Sequence, residues 1–151
     1  MAKIDNKLGF VRLAWVLLGL FFVGKLVVTM AGGSYELSNR LFAMVPLTVH
    51  LCLIWGAMSR SVRDASAGQA FQVGVLIAVF AQVLIFSGTL VSYLLDASTA
   101  FSNPVAIVGE DRAVSLGEAI GGRGVGLVVN MVIGGVAASI GWLLGNLLPA
   151  R

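Results

Sequence analysis

The sequence predicts an all-α integral membrane protein: a four-transmembrane-helix bundle, both termini cytoplasmic (N-in/C-in), with one 28-residue outer loop. Three observations predict it. Four long apolar runs are cut apart by three short charged segments, and no charged side chain occurs in the 31 residues between Asp64 and Asp96 or the 27 between Arg123 and Arg151. A bilayer core about 30 Å thick needs roughly 20 apolar helical residues to cross it, and the runs are of that order. Composition agrees: 58% of residues are hydrophobic and 11% charged, against about 25% charged in an ordinary soluble domain. Third, the basic residues are sorted. Lys3, Lys7, Arg12, Arg60, Arg63 and Arg151 fall on one side of the predicted spans, and Arg40, Arg112 and Arg123 on the other, with Lys25 near that second side. Positively charged flanks stay in the cytoplasm, which places both ends there.

The chain reads as a single transmembrane domain, residues 1–151, with helices over about 8–31, 41–58, 73–95 and 124–148. The first run has a basic start and ends Thr29-Met30-Ala31 before two glycines, a pattern shared with signal peptides. Its length predicts a retained helix, which also gives the even span count that two cytoplasmic ends require. The connections 32–40 and 59–72 are short, so consecutive helices are expected to pack as antiparallel neighbours. The outer loop, 96–123, carries the Asn103-Pro104 turn signal and the charged triplet Glu110-Asp111-Arg112. Ser115 and Glu118 match a capping box, so a helix is expected to begin near Leu116. The glycines that follow oppose it, at about 1 kcal/mol each relative to alanine.

Polar groups inside apolar runs are costly in lipid and face protein or water, so they are the first functional candidates. Lys25 lies near the outer end of span one, where its stem can snorkel to the interface. His50 falls midway between Arg40 and Arg60, near the bilayer midplane. Helix–helix hydrogen bonding is its simplest role; proton relay or haem ligation are the sharper ones. In span three, Gln82, Phe86, Thr89, Tyr93 and Asp96 follow helical spacing and predict one polar stripe, either an interhelical seam or the wall of a hydrated path. Span four adds Asn130 and a small-residue face, Ala137, Gly141 and Gly145, that lets helix backbones approach closely within or between subunits.

No cofactor or metal is assigned. Cys52 is the one cysteine and stands alone in an apolar run, as a small filler. The glycine run 121–126 lacks the order of a phosphate-binding loop. No nucleophile–base arrangement or carboxylate pair is visible within a span, which disfavours an enzyme, and the placement of the basic residues points to topology rather than nucleic acid.

Spans three and four carry Gly88-Thr89 in an outward-running helix, then Glu118-Ala119, Gly126-Leu127 and Asn146 in an inward-running one. In this they resemble the MotA/TolQ/ExbB proton-channel family. The chain departs from that pattern in having Arg123 at a hydroxyl position, Val132 at a proline position, and only residues 59–72 where the family has a large cytoplasmic domain. The resemblance implies that Thr89 lines a proton path whose proton-carrying aspartate belongs to a partner subunit. The sequence therefore predicts a small polytopic protein of a bacterial-type cytoplasmic (inner) membrane, an ion- or proton-channel-like subunit working in an oligomer. The alternatives are a non-catalytic structural or accessory subunit of a larger membrane complex, and a haem- or quinone-associated membrane protein. Its expected partners are the lipid bilayer and either copies of itself or other membrane subunits.

Overall fold

A computed structural model describes residues 6–147. Helix α1 spans Lys7–Met30, α2 Tyr35–Leu41, α3 Met44–Ser61, α4 Ala67–Leu94, α5 Pro104–Val108 and α6 Leu116–Leu144, followed by a 3₁₀ turn over Gly145–Leu147. Strands are absent among the described residues. Four stretches are long and apolar enough to cross a membrane: Lys7–Met30, Tyr35–Ser61, Ala67–Leu94 and Leu116–Leu147.

The helix starts follow from capping. Asn6 accepts the Gly9 N–H at 2.7 Å and opens α1. Ser66 and Gln69 form a reciprocal capping box, so α4 begins at Ala67, ahead of the predicted Val73. Ser115 and Glu118 form a second one, and α6 starts at Leu116 as their spacing predicts. The glycines of its first turns do not break it. The predicted 28-residue loop is correspondingly shorter, because α5 and the first turns of α6 lie within 96–123.

The predicted second helix, 41–58, is shifted to Met44–Ser61, and a separate short helix, α2, occupies the connection before it. Pro46 explains the break. In a helix continuous from Tyr35 its ring would clash with the Phe42 carbonyl and remove a hydrogen bond. The chain leaves helical geometry at Phe42 (φ −132°, ψ 58°) and Ala43 and restarts, which puts Pro46 in a first turn, where it is tolerated. Two helices end in a 6→1 and 5→2 pair of hydrogen bonds around a left-handed residue. At α1 that residue is Gly32, with Gly33 N–H bonded to Val28 at 2.9 Å; at α4 it is Asp96 (φ 49°), with Ala97 N–H bonded to Ser92 at 2.8 Å.

Helix α6 packs against α4 and α3, while α1 lies against α4 and α3 elsewhere on the bundle. The interfaces with α6 are backbone-close. A Cβ added at Gly56 would run into the Ala138 carbonyl, one at Gly74 into the Gly134 carbonyl, and one at Gly141 into the Leu53 carbonyl. The small-residue face read from Ala137, Gly141 and Gly145 is thus used inside the chain: Ala137 is buried, and Gly145 sits against Ala57. Around this seam Val11, Ala14 and Leu18 of α1, Leu51, Cys52 and Trp55 of α3, and Val73, Ile77 and Ala81 of α4 form the core. Cys52 fills space there, with its thiol 3.5 Å from the Gly74 carbonyl.

The end of the bundle that holds the start of α1 and the end of α6 is tied by indole and guanidinium groups. Trp55 donates to the Phe10 carbonyl at 2.7 Å, Trp142 to that of Ala65 at 2.6 Å, and Arg60 to Asn146 at 2.7 Å. The close seam gives a sharp expectation for detergent unfolding. Gly56→Val or Gly141→Val should destabilise by more than about 2 kcal/mol through overpacking. Gly19→Ala, where nothing lies within 4 Å, should be neutral or stabilising by up to about 1 kcal/mol.

Candidate functional site

The far end of the bundle, opposite the start of α1 and the end of α6, gathers polar groups. Helix α4 supplies Thr89 there, and the chain beyond α4 folds back over it. Ser92 shares a hydrogen bond with Thr99 at 2.7 Å, the Phe101 N–H donates to the Thr99 hydroxyl at 3.0 Å, and the Thr99 N–H donates to Ser102 at 3.0 Å. These bonds turn the Phe101 carbonyl toward Thr89. The Phe101 ring is accommodated because position 88 is glycine: a Cβ there would lie 2.9 Å from that ring and 2.8 Å from Phe22.

Arg123 of α6 closes the arrangement. Its Nε–H donates to the Thr89 hydroxyl, one terminal nitrogen to the Ala106 carbonyl of α5, and the other to the Phe101 carbonyl, each at 3.1 Å. Thr89, 2% exposed, accepts from Arg123 and shares its own proton between the carbonyls of Ile85 and Phe101, both at 3.0 Å. One guanidinium therefore joins α6, α4, α5 and the connection between them.

Lys25 faces the same space. It is 7% exposed, donates to the Asn39 side chain at 2.8 Å, and lies over the rings of Tyr35 and Phe101 at 5.6 and 5.7 Å. It does not snorkel; it turns inward because α2 folds over the end of α1 and offers it the Asn39 amide and the Tyr35 ring, while the connection after α4 adds the Phe101 ring. Lys25 and Arg123 line a cavity of about 210 Å³ with Tyr35, Asn39, Met44, Ile85 and neighbouring apolar groups. Among the described residues the ion pairs lie elsewhere, from Arg112 to Glu110 at 3.2 Å and to Glu118 at 3.1 Å. That solvent-exposed pairing raises the Arg112 pKa above its ordinary value, chiefly through the hydrogen bond to Glu118. The cavity thus holds two cationic side chains and no carboxylate.

The other predicted residues are scattered. Gln82 is buried on α4 facing α6 at Gly126, so it shares the Thr89 face. The rest of the predicted stripe departs from that face: Phe86 is exposed, Tyr93 donates to the Val114 carbonyl at 2.9 Å, and Asp96 is exposed in the turn that ends α4. His50 lies on the surface of the bundle and bonds to Pro46 of its own helix at 2.7 Å, so the expected helix–helix bond is not made. Asn130 likewise donates to Gly126, one turn back, at 2.8 Å. Sequence reasoning missed Arg123, Asn39 and the Phe101 carbonyl as site groups. The signal for Arg123 was available: the Ser115–Glu118 box starts α6 two turns before it, so this arginine had to lie within a helix.

Comparison with protein-family models, with curated proteins and with solved structures returns no match for this chain. The class that the fold defines is an all-helical protein with four helices long and apolar enough to span a membrane.

Thr89→Val would leave a guanidinium N–H without its acceptor in a buried setting, at a cost of about 1–3 kcal/mol. Unfolding in detergent should show that loss, and hydrogen exchange should accelerate in residues 97–103. His50→Leu, on the bundle surface, should change stability by less than about 0.5 kcal/mol.

Proposed function

We propose that the protein is a multi-pass protein of a bacterial-type cytoplasmic membrane, non-catalytic, that binds an anion at the outward end of its bundle between Lys25 and Arg123. The observation that carries this reading is the pair of cationic side chains on one cavity with no carboxylate among its lining residues. Placing uncompensated charge in an apolar setting is expensive, and a bound anion offsets that cost. Both cationic heads are held by hydrogen bonds to their neighbours, Lys25 on Asn39 and Arg123 on Thr89, Ala106 and Phe101, which supports a fixed binding site. The positive-inside pattern puts this end outside and both chain ends in the cytoplasm. In this role the protein serves as an accessory subunit in an oligomer or with partner membrane subunits.

A second reading, the ion- or proton-channel-like subunit implied by the resemblance, is favoured by one observation: Gln82 and Thr89 are buried on the face of α4 that meets α6. The guanidinium on Thr89 weighs against proton passage at that point, because a fixed cation in a pore repels protons and cations and admits anions.

Two measurements test the proposal. In a Cys52→Ala background, a cysteine at the exposed Ser98 should react with an impermeant maleimide in intact cells, and one at Asp64 only after permeabilisation. The reverse pattern would overturn the topology. Purified protein should gain thermal stability saturably with added oxyanion at constant ionic strength, by roughly 1.4 kcal/mol at ten times Kd. Lys25→Met should lose most of that gain, and an equal response in both proteins would remove the site. Thr89→Val with unchanged proton flux in vesicles would count against the channel reading.

A further inference from the structure

The donors left over in this cavity narrow the ligand. A guanidinium has five N–H donors and an ammonium three. Arg123 uses three of its five on Thr89, Ala106 and Phe101, and Lys25 uses one of its three on Asn39. Two N–H groups remain on each cation, four in all, with no acceptor assigned to them among the described residues. The three engaged bonds hold the guanidinium plane, and the rings of Tyr35 and Phe101 flank the ammonium. Both heads are therefore positioned before a ligand arrives.

The formal charge of these two heads is +2, and the lining mixes polar groups with the apolar Met44, Val45, Pro46, Ile85 and Phe101. The acids near this end do not line it. Glu36, Asp96 and Glu118 are exposed, and Glu118 is paired with Arg112. Chloride or a single carboxylate would leave one positive charge uncompensated. A phosphate monoester carries about −1.5 to −2 near neutral pH and offers three terminal oxygens pointing in different directions. It can take N–H groups from two separate cations at once. At about 210 Å³ the space is below the range of roughly 300–1,000 Å³ usual for larger organic ligands, which favours a phosphate head over a nucleotide.

Resting on the anion-binding reading above, we infer that the Lys25–Arg123 cavity binds a phosphate monoester or inorganic phosphate, supplied either as a lipid headgroup or as a free solute. The test uses the full chain in detergent and in nanodiscs. Binding of inorganic phosphate, glycerol 3-phosphate, acetate and chloride is measured by calorimetry at matched ionic strength. The two phosphates should bind at least tenfold more tightly than acetate or chloride, with affinity rising as pH passes about 6, where the monoester takes its second charge. Lys25→Met should weaken phosphate binding at least tenfold, and Lys25→Arg should restore part of it. The lysine variants carry the test if Arg123→Met fails to fold.

Nanodiscs of phosphatidylcholine with and without phosphatidic acid separate the sources. If phosphatidic acid abolishes glycerol 3-phosphate binding, the ligand comes from the membrane. If soluble phosphate binds equally in both discs, it comes from solution; either result supports a phosphate site. Acetate or chloride binding as tightly as phosphate would overturn the ligand class and leave the anion site standing. No binding of any anion would overturn both.

Discussion

Arg123 reaches from α6 to the Thr89 hydroxyl on α4 and to two backbone carbonyls of the segment that joins those helices, and the far end of the bundle is organised around that reach. A guanidinium among apolar helices needs partners for its N–H groups, because each buried donor left bare costs about 1–3 kcal/mol or more. The loop after α4 meets that need with the Phe101 and Ala106 carbonyls. Its own turns, fixed by Ser92, Thr99 and Ser102, put those carbonyls in range. The same constraint sets the electrostatics: three donors hold the group in place, while the positive charge stays without a carboxylate beside it.

The rest of the bundle supplies the rigidity this arrangement requires. Helices α3, α4 and α6 meet backbone to backbone at Gly56, Gly74 and Gly141, so α6 has little room to slide and Arg123 keeps its register against Thr89. At the opposite end, the Trp55, Trp142 and Arg60 bonds fasten helix termini to one another. Helix α1 is attached more lightly, through α4 and α3, and it brings Lys25 to the cavity together with α2. The site thus joins a tightly held cation on the α3–α4–α6 core to a second cation on a peripheral helix.

Much of this was legible in the sequence. The apolar runs give four helices of spanning length, the Ser115–Glu118 box gives the start of α6, and the small residues of α6 give its close-packed face. What escaped was set by partners distant in sequence. Lys25 has the stem to snorkel, and only the fold of α2 over the end of α1 turns it inward. The Phe42–Ala43 break was encoded by Pro46, and the early start of α4 by Ser66 and Gln69, both readable from local chemistry. His50 and Asn130 look like interhelical polar groups in sequence, yet each makes its hydrogen bond to its own helix one turn away. Thr89 was singled out correctly as a polar position, but its partner is an arginine 34 residues further on, which no helical spacing relates to it.

The most direct measurement is an anomalous difference map from crystals of the full chain grown with selenate, a tetrahedral dianion whose selenium can be located unambiguously. A peak between the Lys25 ammonium and the Arg123 guanidinium is expected, within hydrogen-bonding reach of both and with the Arg123–Thr89 bond retained. A map with no peak there at saturating selenate, or with Lys25 turned away from the cavity, contradicts the anion site.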